Sequence, residues 1–427
     1  MSQPEAVAAD TRKARKALLA LNFFSADQTG IGPFFGVFLA QNGWRTGLLG
    51  TVMTVGGLVG LLMTAPAGAL ADRTTRKRTF VILSSVFTIA ASLLIWWSQS
   101  FWVVASSQVA GAIAGSIIGP AMLGITLGVV KQEGFNAQNG RNQAYNHAGN
   151  VAGAAICGFL GWKFGFGMVF LMGVVLGTLS VISTLAIPKR AIDDRAGRGL
   201  AGRPEDGDQV QGLQVLVENK ALMVLALCVA LFALGNGAML PLYGLAVVQA
   251  HKADPAIFAA TVVIVAQTTM VATSLIAMRL IEARGYWTVM LITFACLPIR
   301  GVLAALLITS WGVFPVQIMD GVGAGLQGVA VSGLVTRLLY GTGRVNVGQG
   351  TVGTVAGIGG TLSPLLCGWL AQWFGYPVTF VLAGSLSLIA LVIWLAFART
   401  IKTACEAPQR RDKSAAPAAP EAAAQRA

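Results

Sequence analysis

Asp27 sits about ten residues into a long apolar run, beside Gln28 and Thr29. An ionised carboxylate at that depth is costly, so it is either hydrogen-bonded by neighbouring helices or takes up a proton and becomes neutral. The second course is the chemistry of ion coupling. Residues 27–33 also carry two glycines and a proline, the content of a helix that bends or breaks at a binding region. A second polar group follows Arg141: Asn142, Gln143, Asn146, His147 and Asn150. Spacings of three and four put Asn142, Asn146 and Asn150 on one helix face, with Gln143 and His147 beside it. That stripe is about 12 Å long at the rise of a helix, and lipid would not tolerate it. It suits hydrogen bonding to a substrate, a proton relay from His147 to Asp27, or a satisfied polar interior. Arg300 and Asp320 form a third group. Each lies roughly nine residues from the turn near 309–312, and equal depth on an antiparallel hairpin lets them pair. Such a pair is structural, or else Asp320 exchanges Arg300 for a proton or an anionic substrate. Gln108, Asn236 and Gln267 are further candidates for lining a cavity.

The elements that position these groups are apolar runs near 20 residues, long enough to cross roughly 30 Å of hydrocarbon as helices. They occupy 18–40, 47–71, 79–98, 101–130, 142–163 and 167–187 in the first half of the chain. A second set occupies 221–248, 256–281, 286–309, 312–336, 347–373 and 376–398. We call them spans 1 to 12. With 55% hydrophobic and 11% charged residues, against about 25% charged in soluble domains, the chain is read as an all-α integral membrane protein. Its expected organisation is a cytoplasmic N-terminus (1–17), a six-helix bundle (18–187), a cytoplasmic linker (188–219), a second six-helix bundle (220–399) and a disordered cytoplasmic tail (400–427).

The two sets of spans repeat one another at an offset of 210 residues. Cys157-Gly158-Phe159-Leu160 returns as Cys367-Gly368-Trp369-Leu370, and Phe164-Gly165-Phe166 as Phe374-Gly375-Tyr376. The same offset pairs Gly111 with Gly321, Gly115 with Gly325, Gly140 with Gly350 and Gly149 with Gly359. Two bundles in the same sequence order suggest parallel pseudo-symmetric repeats around a central site.

The net charge of +13 invites a nucleic-acid reading, which its distribution argues against. Arg12, Lys13, Arg15 and Lys16, then Arg73, Arg76, Lys77 and Arg78, then Lys131 and Arg141 fall before span 1 or in alternate loops. Arg279, Arg284, Arg337 and Arg344 continue the series, while the other loops hold only Arg45, Lys163 and Lys252. This is the positive-inside bias, and it predicts both termini and the central loop of a multi-pass membrane protein in the cytoplasm. The five cysteines show no metal-ligand spacing, and reduced thiols are expected.

The strongest local motif is Gly68-Ala69-Leu70-Ala71-Asp72-Arg73-Thr74-Thr75-Arg76-Lys77-Arg78, between spans 2 and 3. Gly68 would let span 2 approach a neighbour closely. Asp72, at a helix end, could accept from an adjoining helix N-terminus or pair with an arginine. The cations also suit plain topological anchoring. This segment resembles the loop between the second and third spans of the major facilitator superfamily, with Thr75 where a second glycine usually stands. Leu280, Glu282, Arg284 and Gly285 form a degraded copy of it in the second half. The resemblance covers the whole membrane region and implies the twelve-helix fold of that superfamily. It further implies a conformational latch at Gly68, Asp72, Arg73 and Arg76. Span 4 lacks the arginine that many proton-coupled members carry, and span 5 the glycine-proline pair usual in drug antiporters; Pro364 stands at the matching place in span 11.

No nucleotide-binding Gly-Lys-Ser/Thr loop occurs in the sequence, which leaves ATP drive without support. His147 and His251 belong to different halves with no metal-ligand spacing, so neither an enzyme nor a resident metal or other cofactor is expected. The resemblance to bacterial small-molecule exporters makes the expected function secondary active transport by alternating access. The expected form is proton-coupled efflux of a small molecule by a monomer in the lipid bilayer, with no nucleic acid involved. Uptake of a small organic anion with protons is the alternative, since Arg141, Arg300 and the asparagines suit a carboxylate.

Overall fold

In a computed structural model of the protein, the described residues are 3–26, 31–193, 218–250, 252–339 and 345–406. Among them all regular structure is helical, because a bilayer leaves the backbone no solvent partner and a helix satisfies its own donors and acceptors. Nine described runs are long and apolar enough to cross a membrane. One of them, Pro255–Leu306, has 52 residues and crosses twice, turning at Gly285. Spans 1 and 5, which carry the polar residues singled out above, complete the twelve.

Span 1 is described as Gln3–Ala26 and Ile31–Gln41, and spans 2 and 3 as Thr46–Arg73 and Lys77–Trp97. Spans 4 and 5 form one run, Phe101–Phe164, redirected at Lys131 with φ 55°. Span 6 is Phe166–Leu185, and a short 3-10 turn, Lys189–Ala191, follows it. Span 7 is divided into Lys220–Asn236 and Met239–Gln249, and spans 10, 11 and 12 are Val313–Leu338, Val345–Phe374 and Tyr376–Ala396.

The internal repeat is visible in backbone angles. Gly165 joins spans 5 and 6 at φ 85°, ψ 169°, and Gly375 joins spans 11 and 12 at φ 79°, ψ 166°. Only glycine reaches that region at little cost. Packing repeats as well: a Cβ on Gly149 would strike the Phe23 carbonyl of span 1, and one on Gly359 the Ala230 carbonyl of span 7.

Helices at both termini run past the expected boundaries. Residues 3–17 are continuous with the start of span 1 in one helix, Gln3–Ala26. Ala14, Leu18 and Leu21 are buried there against Val81, Ile125, Val129 and Ile187. The tail expected to be disordered from residue 400 begins as a helix, Ala398–Glu406. Ile401 is buried and the Lys402 ammonium lies 4.0 Å over the Trp287 ring, a cation–π contact that ties this helix to span 9. Residues 407–427 lie outside the described residues.

Large apolar side chains such as Leu62, Leu275 and Leu306 are exposed around the circumference, as a lipid-facing wall requires. Trp96, Trp97, Trp102, Trp162, Trp311 and Trp373 are exposed at span ends on the face opposite the basic loops, where amphipathic rings anchor at an interface.

Candidate functional site between and within the bundles

The bundles lean together on the face opposite the basic loops. Thr54 on span 2 donates to the Thr361 carbonyl at 2.8 Å and accepts from the Leu365 amide at 3.0 Å. Trp369 Nε1 donates to the Thr51 hydroxyl at 3.2 Å, and the Gly47 amide to Gln372 Oε1 at 3.1 Å. These bonds need close backbones. A Cβ on Gly50 would strike the Pro364 carbonyl, and one on Gly57 would lie 2.9 Å from Thr361 Cγ2. Spans 5 and 8 close in the same way, where Cβ atoms on Gly158 and Gly161 would collide with Ala260 and Ala256.

Toward the basic face no such contact continues among the described residues. A Cβ at Gly68, Gly350 or Gly353 would meet nothing within 4 Å, and among the described residues the close approaches of span 2 to span 11 are made by Gly47, Gly50 and Gly57. Span 2 ends at Arg73, as the loop motif required. Asp72 and Arg73 lie on that last turn, and their side chains fall outside the described ones. The Arg76 amide donates to the Thr74 hydroxyl, and its side chain is exposed. Lys77 and Arg78 do more than anchor topology. Lys77 is buried with its ammonium on the Thr74 carbonyl, and Arg78 reaches the Thr184 and Leu185 carbonyls at the end of span 6. A cation on those unsatisfied carbonyls also complements the helix dipole.

The second bundle holds a buried ionic network. Arg300 Nη1 lies 2.8 Å from Asp320 Oδ1, with Arg300 1% and Asp320 12% exposed. Arg300 also donates to the amide oxygens of Asn236 and Gln317, and Asn236 Nδ2 donates to Asp320 at 3.2 Å. Spans 7, 9 and 10 therefore converge on one guanidinium, whose Nε has no partner among the described residues. Gln317 went unnoticed in the sequence, although its place one turn before Asp320 on span 10 was the available signal.

The first bundle holds the uncharged polar groups. Asn142 is buried, donates to the Thr126 hydroxyl and accepts from Gln138 Nε2 at 3.0 Å. Asn146 reaches the Asn22 carbonyl at 3.5 Å and accepts from Asn150 at 3.4 Å. Gln138 extends the predicted stripe by one turn because helix continues unbroken through Arg141, which is itself exposed. His147 Nδ1 lies 3.0 Å from Gln267 Oε1 on span 8, a group in the other bundle. Asp27 and Gln28 lie outside the described residues.

Beside this stripe lies an open-sided cavity of about 690 Å³ lined by spans 1 to 5. Gln108, Asn142, Gln143 and Asn146 line it together with Asn22, Ser92 and glycines of spans 2 and 4. Asn236, Arg300 and Asp320 do not line it; they form the separate cluster in the second bundle. The sequence reading thus named members of both clusters but could not separate them.

The Major Facilitator Superfamily profile matches residues 17–347 and 225–425. Two proteins named as uncharacterised MFS-type transporters, from the CDC 1551 and H37Rv strains of Mycobacterium tuberculosis, are each 35% identical over 392 residues. The match covers 91% of this chain and 94% of each relative. Among solved structures, the nucleoside transporter NupG superposes with a TM-score of 0.77 at 13% identity, over 90% of this chain and 99% of that one. A bacterial homologue of the human lysosomal transporter Spinster, in an inward-facing conformation, superposes with a TM-score of 0.66 at 15% identity, over 96% and 100%. Twelve spans in two repeated bundles that close on one another at one face suit alternating access, and with these matches the chain belongs to the major facilitator superfamily.

Proposed function

We propose that this transporter exports a small molecule across a bacterial inner membrane in exchange for protons, as a monomer with both termini in the cytoplasm. In this reading residues 18–187 and 220–399 rock as two units, and the face with the basic loops faces the cytoplasm. The latch role of Gly68, Asp72, Arg73 and Arg76 belongs to the alternate state, in which the basic face closes.

The observation that carries proton coupling is the Asp320 carboxylate held at membrane depth by Arg300 and Asn236. A carboxylate there can be neutralised by a proton, and doing so releases its hold on the guanidinium. Asp27 is the second proposed protonation site, in the first bundle. Uptake of an organic anion would need a cation open to the cavity. Arg300 is already engaged by Asp320, Asn236 and Gln317, and no described residue lining the cavity is charged.

Proton flux in proteoliposomes, followed with a pH-sensitive dye during addition of a chemically diverse panel, tests the proposal. Compound-dependent proton movement opposite in direction to the compound is expected. Movement in the same direction would make the protein a symporter, and compound flux without proton movement would remove the coupling.

A further inference from the structure

The two bundles repeat each other in sequence, yet one packing joint differs between them. In the second bundle span 10 presses onto span 8: a Cβ on Gly321 would lie 2.7 Å from the Ala266 carbonyl, and one on Gly325 2.7 Å from that of Met270. The counterparts in span 4 are Gly111 and Gly115, and Cβ atoms there, or on Gly119, would meet nothing within 4 Å. Spans 2 and 4 still meet, with a Cβ on Gly56 3.2 Å from Gln108 Cβ, but the Gly111, Gly115 and Gly119 stretch of span 4 borders the cavity of about 690 Å³ instead of a helix. That volume suits a drug-sized ligand.

The chemistry of the cavity is uneven along its length. Asn22, Asn142 and Asn146 gather near one end, and Ser92 and Gln108 lie on spans 3 and 4 away from them. Between these polar groups the walls are Gly57, Gly60, Gly111, Gly115, Ile118 and Met122. Glycine backbones let a flat group approach closely. Amide side chains offer both donors and acceptors. Among the described lining residues none is charged, so an ionic solute would lose its hydration without gaining a counter-ion, which is unfavourable by several kcal/mol for a buried charge.

We propose that this cavity within the first bundle is a binding site for an uncharged solute, one with a flat apolar frame and hydrogen-bonding groups at its edges. The proposal rests on the transport reading for its role as the substrate site, though the selectivity of the cavity can be tested without it. Asp27 follows two residues after Ser25, which lines the cavity, so a cation is the rival ligand that the experiment must separate.

Gly115→Cys places a thiol in the cavity wall, where a Cβ meets nothing within 4 Å. Cys157, Cys228, Cys296 and Cys367 are buried, so a full-length chain carrying Cys405→Ala serves as background and blank. The thiol is modified with three methanethiosulfonates of similar size: 2-hydroxyethyl (neutral), sulfonatoethyl (anionic) and trimethylammonioethyl (cationic). Each rate is normalised to that of the same reagent with free 2-mercaptoethanol. The neutral reagent is expected to lead both ions by about ten-fold or more, the consequence of desolvating a charge without a partner. Parity of the anion with the neutral reagent would overturn the proposal. So would parity of the cation, and that result would assign the site to a cation facing Asp27. Failure of all three, repeated with Gly111→Cys, would show that no solute enters. Proteoliposome flux is measured in parallel. Flux without neutral preference sinks this inference alone, and neutral preference without flux sinks the transport reading alone.

Discussion

His147 on span 5 and Gln267 on span 8 join the two bundles through a single hydrogen bond, Nδ1 to Oε1 at 3.0 Å. The bond lies deeper than the tight contact of Gly158 with Ala260 on the same two spans. It is therefore at the inner edge of the closed region, where opening of that face must pass.

Removing the bond should bias the transporter toward opening on the face opposite the basic loops. His147→Ala or Gln267→Ala is expected to cost the closed state about 1 kcal/mol, a roughly five-fold change in the ratio of states. Spin labels at Lys163 and Lys252, on the exposed ends of spans 5 and 8, should show a larger long-distance population in double electron–electron resonance. An unchanged distribution would mean that the bond contributes nothing to closure.

Span 2 supplies a stricter test of closure. Gly50→Ala puts a methyl group against the Pro364 carbonyl, so the folded protein should be unable to reach the closed conformation seen here, and transport should be lost with normal yield. Gly68→Ala meets open space and should leave this conformation and the melting temperature unchanged. If both variants retain closure by cysteine cross-linking between residues 47 and 372, the joint is softer than its geometry implies.

Breaking the Arg300–Asp320 pair from one side leaves a buried guanidinium with only neutral partners. Asp320→Ala should therefore destabilise the protein by about 3–5 kcal/mol, and Asp320→Ala with Arg300→Met should recover much of that loss. Thermal unfolding in detergent, read by tryptophan fluorescence, distinguishes them. Equal losses in the single and double variants would argue that the pair does not stabilise the fold. Transport by the double variant adds a second readout: a stable protein without proton movement would assign Asp320 to coupling.

Asp27→Asn should abolish proton-driven accumulation while leaving folding and energy-independent exchange of substrate intact. Unchanged gradient-driven transport in that variant would remove Asp27 from the mechanism.

Much of this architecture is legible in one dimension. Each span is announced by an apolar run, because a helix must cross about 30 Å of hydrocarbon. The turns at Gly165 and Gly375 are announced by the repeat, because the backbone angles they adopt suit glycine alone. The meeting of Arg300 with Asp320 follows from equal distances to a short turn, since an antiparallel hairpin preserves depth. Gln138 and Gln317 were missed although each lies within one turn of a residue that was chosen.

Other features were decided only by tertiary structure. Gly111 and Gly321 occupy equivalent places in the repeat, yet one borders a cavity and the other is pressed against span 8. Their difference arises from how far apart two helices stand, and neither residue's own sequence neighbourhood records that distance. Gly68 was expected at a close contact that the structure places nearer the other end of span 2, because which end closes depends on the conformational state. His147 finds Gln267 across 120 residues, through the placement of one rigid bundle against the other. Helical periodicity specifies which face of a span is polar. Which span that face then meets is set by the packing of the bundles, an energy summed over many contacts distant in sequence.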